Sequence, residues 1–381
     1  MRMPHGVPDL SQYKYTGCYE LAVPLIETCN MACEFCFENQ GLKKKSPGDP
    51  EKIRSLAPRI VAFMKEKYKE HPYKQIDLKL WGGEVFYDAL PDEFFSAYKD
   101  FVAVLKRELH VPFTIVYLSN GMFTKYERVL DVLEETDGYL SISYDPVGRY
   151  FNEGQKRLFC KTLDWFRAKG RAESISITLS KPTIEAYIKG DPVYEALPLD
   201  MVHIVNFYIP NREWARYVPG CNEYYAFYRW AIDNRRFNID VINKMMLHMI
   251  PEQRDKVHRM CNCKEAAQWC GNLGRCSSNC VDDRVLDIDC KKYFYGDAYD
   301  EVTEENHFEV RSSMTRLKNG CVYCEHFSTC PMMCPASSLF TEYDASFCPM
   351  KKIYDEVRPE DIQAFENWQE WYRQHNGRVS F

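Results

Sequence analysis

Three cysteines near the N-terminus have a spacing that suits an iron–sulfur cluster. They are Cys29, Cys33 and Cys36, in the pattern C-x3-C-x2-C. Three thiolates on one loop can bind three irons of a four-iron cluster, which leaves the fourth iron open to a small chelating ligand. A zinc site would need a fourth cysteine or histidine nearby, and the next histidine is His71. The triplet therefore predicts a redox cluster with one open position, and zinc is the alternative.

A second group of cysteines lies in the C-terminal third of the chain. Of the 17 cysteines, eleven fall between residues 261 and 348. Thiolates grouped in threes and fours suit soft metal centres, although paired C-x2-C units also suit a zinc ribbon. Disulfides explain the grouping less well, because the N-terminus has no signal-peptide pattern and the cytosol keeps thiols reduced. We interpret three isolated cysteines as packed or incidental thiols: Cys18, Cys160 and Cys221.

The elements that must position these cysteines can be predicted from hydrophobic periodicity. Short apolar runs alternate with helical patterns over the first 235 residues, which indicates a parallel sheet with right-handed crossovers. Six such units are too few for an eight-unit barrel, so we predict an α/β fold with a partial (β/α)6 TIM-like barrel. The predicted strands are 20–26, 76–81, 113–119, 139–144, 174–179 and 202–208. The predicted helices are 53–68, 94–109, 125–134, 156–168 and 224–234.

The pattern changes from about residue 239. We predict a barrel domain over residues 1–235 and a linker helix within 236–260, where a Met-rich helix covers 239–260. A cysteine-rich iron–sulfur extension follows over 261–350, because a region so short of apolar periodicity needs metals or cross-links for stability. The last segment, 351–381, carries a helical pattern at 360–375.

Composition excludes several classes of partner. The 381 residues carry a net charge of −6, with acidic and basic residues mixed along the chain. This mixture provides no basic face for nucleic acid. No apolar run is long enough to span a bilayer. We therefore expect a cytoplasmic protein with neither a nucleic acid nor a membrane as partner.

Polar motifs follow the ends of successive predicted strands. The second strand ends in Trp81-Gly82-Gly83-Glu84, the third in Leu118-Ser119-Asn120-Gly121, and the fourth in Ser141-Ile142-Ser143-Tyr144-Asp145. Barrel sites gather at these carboxyl ends. Together with the cysteine triplet and the aromatic Phe35 before Cys36, the motifs resemble those of the radical S-adenosylmethionine superfamily. Val85 departs from that pattern, because proline often follows the glutamate.

The resemblance implies roles for these residues. Cys29, Cys33 and Cys36 would bind the catalytic 4Fe-4S cluster, and Glu84 would pair with the amino group of the methionine moiety. The serine of the fourth motif would contact the ribose or the carboxylate of the cofactor. The set implied to contact S-adenosylmethionine is Phe35, Gly82, Gly83, Glu84, Asn120 and Ser143.

The C-terminal cysteines resemble the SPASM extension, as found in anaerobic sulfatase-maturating enzymes, which usually carries two auxiliary 4Fe-4S clusters. By this resemblance the first auxiliary cluster would be bound by Cys270, Cys276, Cys290 and Cys334. The second would be bound by Cys321, Cys324, Cys330 and Cys348. Val285 replaces a glycine common in that family, and three surplus cysteines could substitute for a ligand: Cys261, Cys263 and Cys280.

The resemblance also implies the chemistry. One electron, from a donor such as flavodoxin or ferredoxin, would cleave S-adenosylmethionine and form a 5′-deoxyadenosyl radical that abstracts hydrogen from a substrate. SPASM enzymes usually oxidise or cross-link side chains of a peptide or protein, as in the maturation of ribosomally made peptides. Lys291 stands where sulfatase-maturating enzymes have an acidic base, which argues against formylglycine formation unless Asp287 or Asp289 substitutes.

Two alternatives stay open. One is a redox-neutral epimerisation of a peptide residue or a sugar, which needs a thiol to return the hydrogen. Cys221 follows the sixth predicted strand and could provide that thiol. The other is a non-catalytic metal-binding protein, which turnover of S-adenosylmethionine would distinguish from both enzymes.

Overall fold

The structure, a computed structural model, describes residues 18–26, 28–31, 33, 48–70, 72–145, 152–195, 197–207, 217–254, 326 and 347–376. Within these residues, six parallel strands alternate with helices and form one sheet in the order β1 to β6, which confirms the predicted α/β fold. The cysteine-rich stretch lies almost entirely outside them. The strands are β1 (Cys18–Ile26), β2 (Gln75–Gly82), β3 (Phe113–Ser119), β4 (Gly138–Ser143), β5 (Ala172–Leu179) and β6 (Val202–Phe207).

The register of the first four strands aligns their carboxyl ends. β1 pairs with β2 in parallel from Cys18↔Gln75 to Ile26↔Gly82, with a shift in register after Pro24. β2 pairs with β3, and β3 pairs with β4 as far as Ser119↔Ile142. The segments that follow these strands therefore meet at one edge of the sheet, where α/β proteins place their sites.

Helices connect the strands, and each predicted helix of the barrel is present within a few residues. Short helices that the periodicity did not indicate are also present, such as Lys181–Ile188 and Pro192–Glu195. The described helices are α1 (Pro50–Glu70), α2 (Asp92–Leu109), α3 (Tyr126–Thr136), α4 (Glu153–Ala168), α5 (Lys181–Ile188), α6 (Pro192–Glu195), α7 (Cys221–Asp233), α8 (Asp240–Met249), α9 (Pro251–Arg254), α10 (Pro349–Glu356) and α11 (Pro359–Asn376).

The predicted helix over 239–260 was too long. α8 ends at Met249, Ile250 has an extended backbone (φ −94°, ψ 112°), and a separate short helix begins at Pro251. Proline has no backbone N–H and clashes with the preceding turn, so α8 cannot continue through it. Nor is α8 an isolated connector, since it packs against β6 and buries residues such as Val241 and Met245. Among the described helices, none combines the length and hydropathy needed to cross a bilayer.

The described residues fall into two compact units. The first comprises residues 18–174. In it, the fully buried Phe86 packs against Phe95, Tyr117 and Phe123, with ring centroids 5.2–6.2 Å apart. Burying each such ring contributes about 1.5–3 kcal/mol. Since Phe86 comes only two residues after Glu84, this packing fixes the segment that follows β2.

The second unit comprises residues 175–254 and 326–376 as far as they are described. In it, α7 packs against α5 and α10. The Tyr225 hydroxyl donates a hydrogen bond of 2.6 Å to Glu356, and the Lys352 ammonium lies 4.0 Å from the Tyr225 ring centroid. His203 forms a parallel bridge with Ile239, which places the start of α8 beside β6. The C-terminal helices are thus an integral part of this unit.

Candidate cofactor site

The cysteine loop begins directly after β1, and the sulfur of Cys29 receives hydrogen bonds from the chain. The backbone N–H of Met31 donates to Cys29 Sγ at 3.4 Å, and the side-chain amide of Asn120 donates to it at 3.8 Å. Cys33 is buried. N–H donors around sulfur stabilise a thiolate and tune an iron–sulfur cluster, so this donor set fits a thiolate ligand. Cys36 and Phe35 lie outside the described residues.

Two glycines let the end of β2 approach this loop closely. Gly83 N–H donates to Ile26 O, and Glu84 N–H donates to Thr28 O, both at 2.9 Å. A Cβ at Gly82 would lie 2.2 Å from Ile26 O, and one at Gly83 would lie 2.1 Å from Thr28 O. Both contacts are with backbone, so no side chain fits at either position. The glycines thus bring two parts of the same chain together, next to Cys29.

The carboxylate of Glu84 is fully buried and accepts hydrogen bonds at both oxygens. Ser119 Oγ donates to Oε1 at 2.7 Å, and the Phe86 N–H donates to the same oxygen at 3.0 Å. The Asn120 N–H donates to Oε2 at 2.6 Å. Burial raises the pKa of the nearby Tyr98 phenol well above its ordinary value, and the charge of Glu84 adds to that shift. Through the hydrogen bonds from Ser119 and Asn120, Glu84 connects the end of β3 to the segment after β2.

Asn120 connects this carboxylate to the cysteine loop. Its side-chain amide donates to Asn30 Oδ1 at 2.8 Å, as well as to Cys29 Sγ. Asn30 in turn donates to Met122 O at 2.6 Å, and Met122 N–H donates to Asn120 Oδ1 at 2.8 Å. The loops after β1 and β3 are therefore cross-linked by two asparagine side chains.

Ser143 lies at the same edge of the sheet. It ends β4 and follows Ile142, the register partner of Ser119, so it is level with Asn120 on the neighbouring strand. Its side chain is half-buried, whereas Asp145, two residues further, is buried. The structure thus joins Cys29, Glu84 and Asn120 through hydrogen bonds and places Ser143 at the end of the neighbouring strand, β4.

Two residues that contribute side chains to this network were not among the predicted site residues. Asn30 follows Cys29 directly, and Ser119 precedes Asn120 in the S-N-G motif. The sequence signal for both residues is a short polar side chain, next to a predicted cluster ligand for Asn30 and at a strand end for Ser119. Such side chains hydrogen-bond to nearby backbone and to one another. Spacing alone does not show which partners they find.

The remaining cysteines are only partly described. Cys348 is half-buried and directly precedes α10, in the N-cap position. The other seven predicted auxiliary ligands lie outside the described residues, as do Cys261, Cys263 and Cys280. Cys221 is buried as the first residue of α7, as a packed thiol would be, whereas Cys160 is exposed on α4. Both auxiliary clusters therefore stay predictions.

The fold is that of an α/β partial barrel whose site lies at the carboxyl ends of the strands. No protein-family model matches the chain, and no curated protein matches its sequence. Among solved structures, similar chains are those of the anaerobic sulfatase-maturating enzyme anSMEcpe. The structure of native anSMEcpe with bound AdoMet and Cp18Cys peptide has a TM-score of 0.61 at 13% identity. The match covers 92% of this chain and 99% of that one.

A second structure of anSMEcpe, titled with AdoMet and Kp18Cys peptide, has a TM-score of 0.60 at 14% identity, covering 92% of this chain and 99% of that one. A third, titled with AdoMet alone, has a TM-score of 0.54 at 14% identity, covering 95% and 100%. At such low identity these likenesses show a shared fold. They confirm at that level the predicted resemblance to anaerobic sulfatase-maturating enzymes.

Proposed function

We propose that this chain is a radical S-adenosylmethionine enzyme that modifies a side chain of a peptide or protein. The observation that supports the proposal most strongly is the hydrogen-bonded group of Cys29, Glu84 and Asn120, drawn from the ends of three successive strands. Cysteine, glycine–glycine–glutamate and asparagine motifs could each occur alone by chance. Their meeting in one hydrogen-bonded group, next to the sulfur of Cys29, is what a common cofactor site requires.

The residues present fit a 4Fe-4S cluster with S-adenosylmethionine on its open iron. Cys29 and Cys33 belong to the three-thiol loop that would bind the cluster together with Cys36. When bound, the cluster and S-adenosylmethionine would supply a carbon radical able to remove hydrogen from an unactivated C–H bond. The chain's own part is to position the sulfur of Cys29 through Asn120 and Met31, and to present Ser143 and Phe35 to the cofactor.

A peptide substrate is supported by the structures that share the fold. Two of the anSMEcpe structures contain a bound peptide. We infer that this chain also takes a peptide or protein and receives electrons from a donor such as flavodoxin or ferredoxin. Two auxiliary 4Fe-4S clusters on eight of the eleven C-terminal cysteines would accept the second electron of an oxidation, which favours side-chain oxidation or cross-linking over a redox-neutral reaction.

Mass spectrometry of candidate peptides tests the proposal. The reconstituted enzyme is incubated anaerobically with a reductant, S-adenosylmethionine and synthetic peptides encoded near its gene. Oxidation or cross-linking removes two hydrogen atoms from the peptide, so we expect a mass loss of about 2 Da. The variant Cys29→Ala is the control and leaves the peptide unchanged.

The same reaction run in D2O distinguishes the competing chemistry. A redox-neutral epimerisation transfers a hydrogen atom from the peptide to 5′-deoxyadenosine and takes one back from an exchangeable thiol, so one C–H of the peptide would become C–D. The mass of the peptide would then rise by about 1 Da instead of falling by about 2 Da. Cleavage of S-adenosylmethionine with that result would contradict the oxidation part of the proposal. The absence of any cleavage would contradict the whole of it.

A further inference from the structure

We infer that Glu84 is a positioning residue that holds Asn120 against the sulfur of Cys29 and thereby raises the reduction potential of the N-terminal cluster. The inference rests on the proposed function, because it needs a cluster on Cys29. It differs from the role that the family resemblance implies for Glu84, which is pairing with the ammonium of S-adenosylmethionine.

The first argument is where the carboxylate lies. Glu84 has no exposed surface, and among the described residues its two oxygens accept hydrogen bonds from Asn120, Ser119 and Phe86, at 2.6, 2.7 and 3.0 Å. A buried carboxylate is costly unless donors of this kind satisfy it. Two of the three donors are on Ser119 and Asn120. The carboxylate therefore fixes the turn after β3.

The second argument is that a single residue, Asn120, contacts both Glu84 and Cys29. The backbone N–H of Asn120 binds Glu84 Oε2, while its side-chain amide reaches Cys29 Sγ at 3.8 Å. A shift of that backbone moves the amide away from the sulfur, because backbone and side chain belong to the same short residue. Glu84 thus holds the backbone of the residue that gives Cys29 this donor, while Asn30 and the Met122 N–H hold its side chain.

The third argument is the effect of the donor on the cluster. An N–H pointing at a cysteine sulfur stabilises the more negative, reduced cluster, so it raises the reduction potential. Loss of the Asn120 donor therefore makes the cluster harder to reduce. A hydrogen bond of ordinary net strength corresponds to a change of about two- to tenfold in the ratio of reduced to oxidised cluster at a fixed potential.

The test is redox titration of the reconstituted full chain without S-adenosylmethionine, followed by electron paramagnetic resonance. Signals of any auxiliary clusters are removed by subtracting the spectrum of the variant that lacks Cys29, Cys33 and Cys36. Glu84→Gln keeps one acceptor oxygen and turns the other into an NH2 donor, so the groups of Phe86, Ser119 and Asn120 that donate to Glu84 can no longer all be accepted with the same geometry. We expect its potential to fall, with about a two- to tenfold lower reduced-to-oxidised ratio.

The direction of the change separates positioning from simple electrostatics. Removing a negative charge near a cluster raises its potential, whereas losing the Asn120 donor lowers it. Asp88→Asn is the matched control. Asp88 is another carboxylate after β2 that accepts hydrogen bonds from the segment after β3, but its partners are Thr124 and Lys125. We expect Asp88→Asn to leave the potential unchanged.

A double-mutant cycle completes the test. Asn120→Ala removes the side-chain donor, so adding Glu84→Gln to it should cause no further fall in potential. If Glu84→Gln does not fold, Ser119→Ala removes one of the donors to Glu84 and should lower the potential by less.

Two results would overturn the inference: a potential that rises or does not move in Glu84→Gln, or additive effects in the double variant. Weaker binding of S-adenosylmethionine to Glu84→Gln with an unchanged potential would instead establish the ammonium-pairing role. If the wild-type chain forms no cluster at all, the proposed function fails before the inference is reached.

Discussion

At the scale of single residues, a buried carboxylate can be held by several donors at once, and Asp361 in α11 is an example outside the candidate site. Its side chain is fully buried, with Arg235 at 2.8 Å, Arg358 at 3.2 Å and Arg229 at 3.7 Å. Burial alone would raise its pKa. The hydrogen bonds from Arg358 and Arg235 outweigh burial and lower the pKa to about 2. Asp361 thus anchors α11 to the end of α7.

We expect Asp361→Asn to lower the free energy of unfolding by about 2 kcal/mol at pH 7, since that is the stabilisation a pKa shift of this size provides. Because the folded pKa is depressed, this stabilisation is complete above about pH 4 and is lost as the pH falls towards 2. Urea unfolding of both proteins between pH 3 and 7 measures the difference, which should narrow at the acid end.

The matched control for this prediction is Glu370→Gln in the same helix. Glu370 pairs with Arg373 on the surface, where ion pairs contribute less than about 1 kcal/mol. An Asp361 variant no less stable than the Glu370 variant at pH 7 would disprove the anchoring role. So would a stability difference that does not change with pH.

At the scale of elements, the site depends on how closely the end of β2 approaches the segment after β1. We expect Gly83→Ala to displace the cysteine loop, because the added Cβ would lie 2.1 Å from Thr28 O and 3.1 Å from Cys29 N. After anaerobic reconstitution this variant should lose about four irons per chain, the content of one cluster, and should form no 5′-deoxyadenosine. Iron analysis and chromatography of the reaction products measure both.

Gly170→Ala is the control for general damage. Gly170 has a positive φ of 65°, but nothing lies within 4 Å of the position of an added Cβ. Its replacement should cost about 1 kcal/mol of stability and leave the iron content unchanged. Full iron content and activity in Gly83→Ala would show that the close approach is not needed for the site.

The strands and their order along the chain could be predicted from the sequence, because buried parallel strands have short apolar runs with polar ends. β3 begins and ends at the predicted residues, and the other strand ends differ by two residues at most. The helix over 239–260 was predicted too long, since its apolar pattern continues past Pro251 while the backbone cannot.

The hydrogen bonds of the site could be predicted less well than its residues. Glu84 and Asn120 were expected at neighbouring strand ends, and they are there. Their bond to each other depends on a register set by the packing of β2 against β3 and on the burial of Glu84. Neither is visible in a short motif, because the two residues are 36 positions apart.

At the scale of the whole molecule, the C-terminal helices are part of the second unit, and Cys348 directly precedes the first of them, α10. If Cys348 is a ligand of an auxiliary cluster, Cys348→Ala should reduce the iron content by about four per chain. Formation of 5′-deoxyadenosine should persist, because the N-terminal cluster is separate. Modification of the peptide should stop.

Cys160→Ala is the control for this change, since Cys160 is an exposed thiol on α4 that no cluster should need. It should retain all iron and all activity. Wild-type iron content in Cys348→Ala would remove Cys348 from the predicted ligands and point to one of the surplus cysteines instead.

Anaerobic reconstitution of the wild-type chain, with counting of iron and sulfide and an assay for 5′-deoxyadenosine, tests the central claim most directly. We expect about twelve irons per chain, for three four-iron clusters, and reductive cleavage of S-adenosylmethionine. About four irons per chain, with cleavage, would support the N-terminal site and contradict the prediction of both auxiliary clusters. Zinc in place of iron, with no cleavage, would contradict the claim that this chain is a radical enzyme.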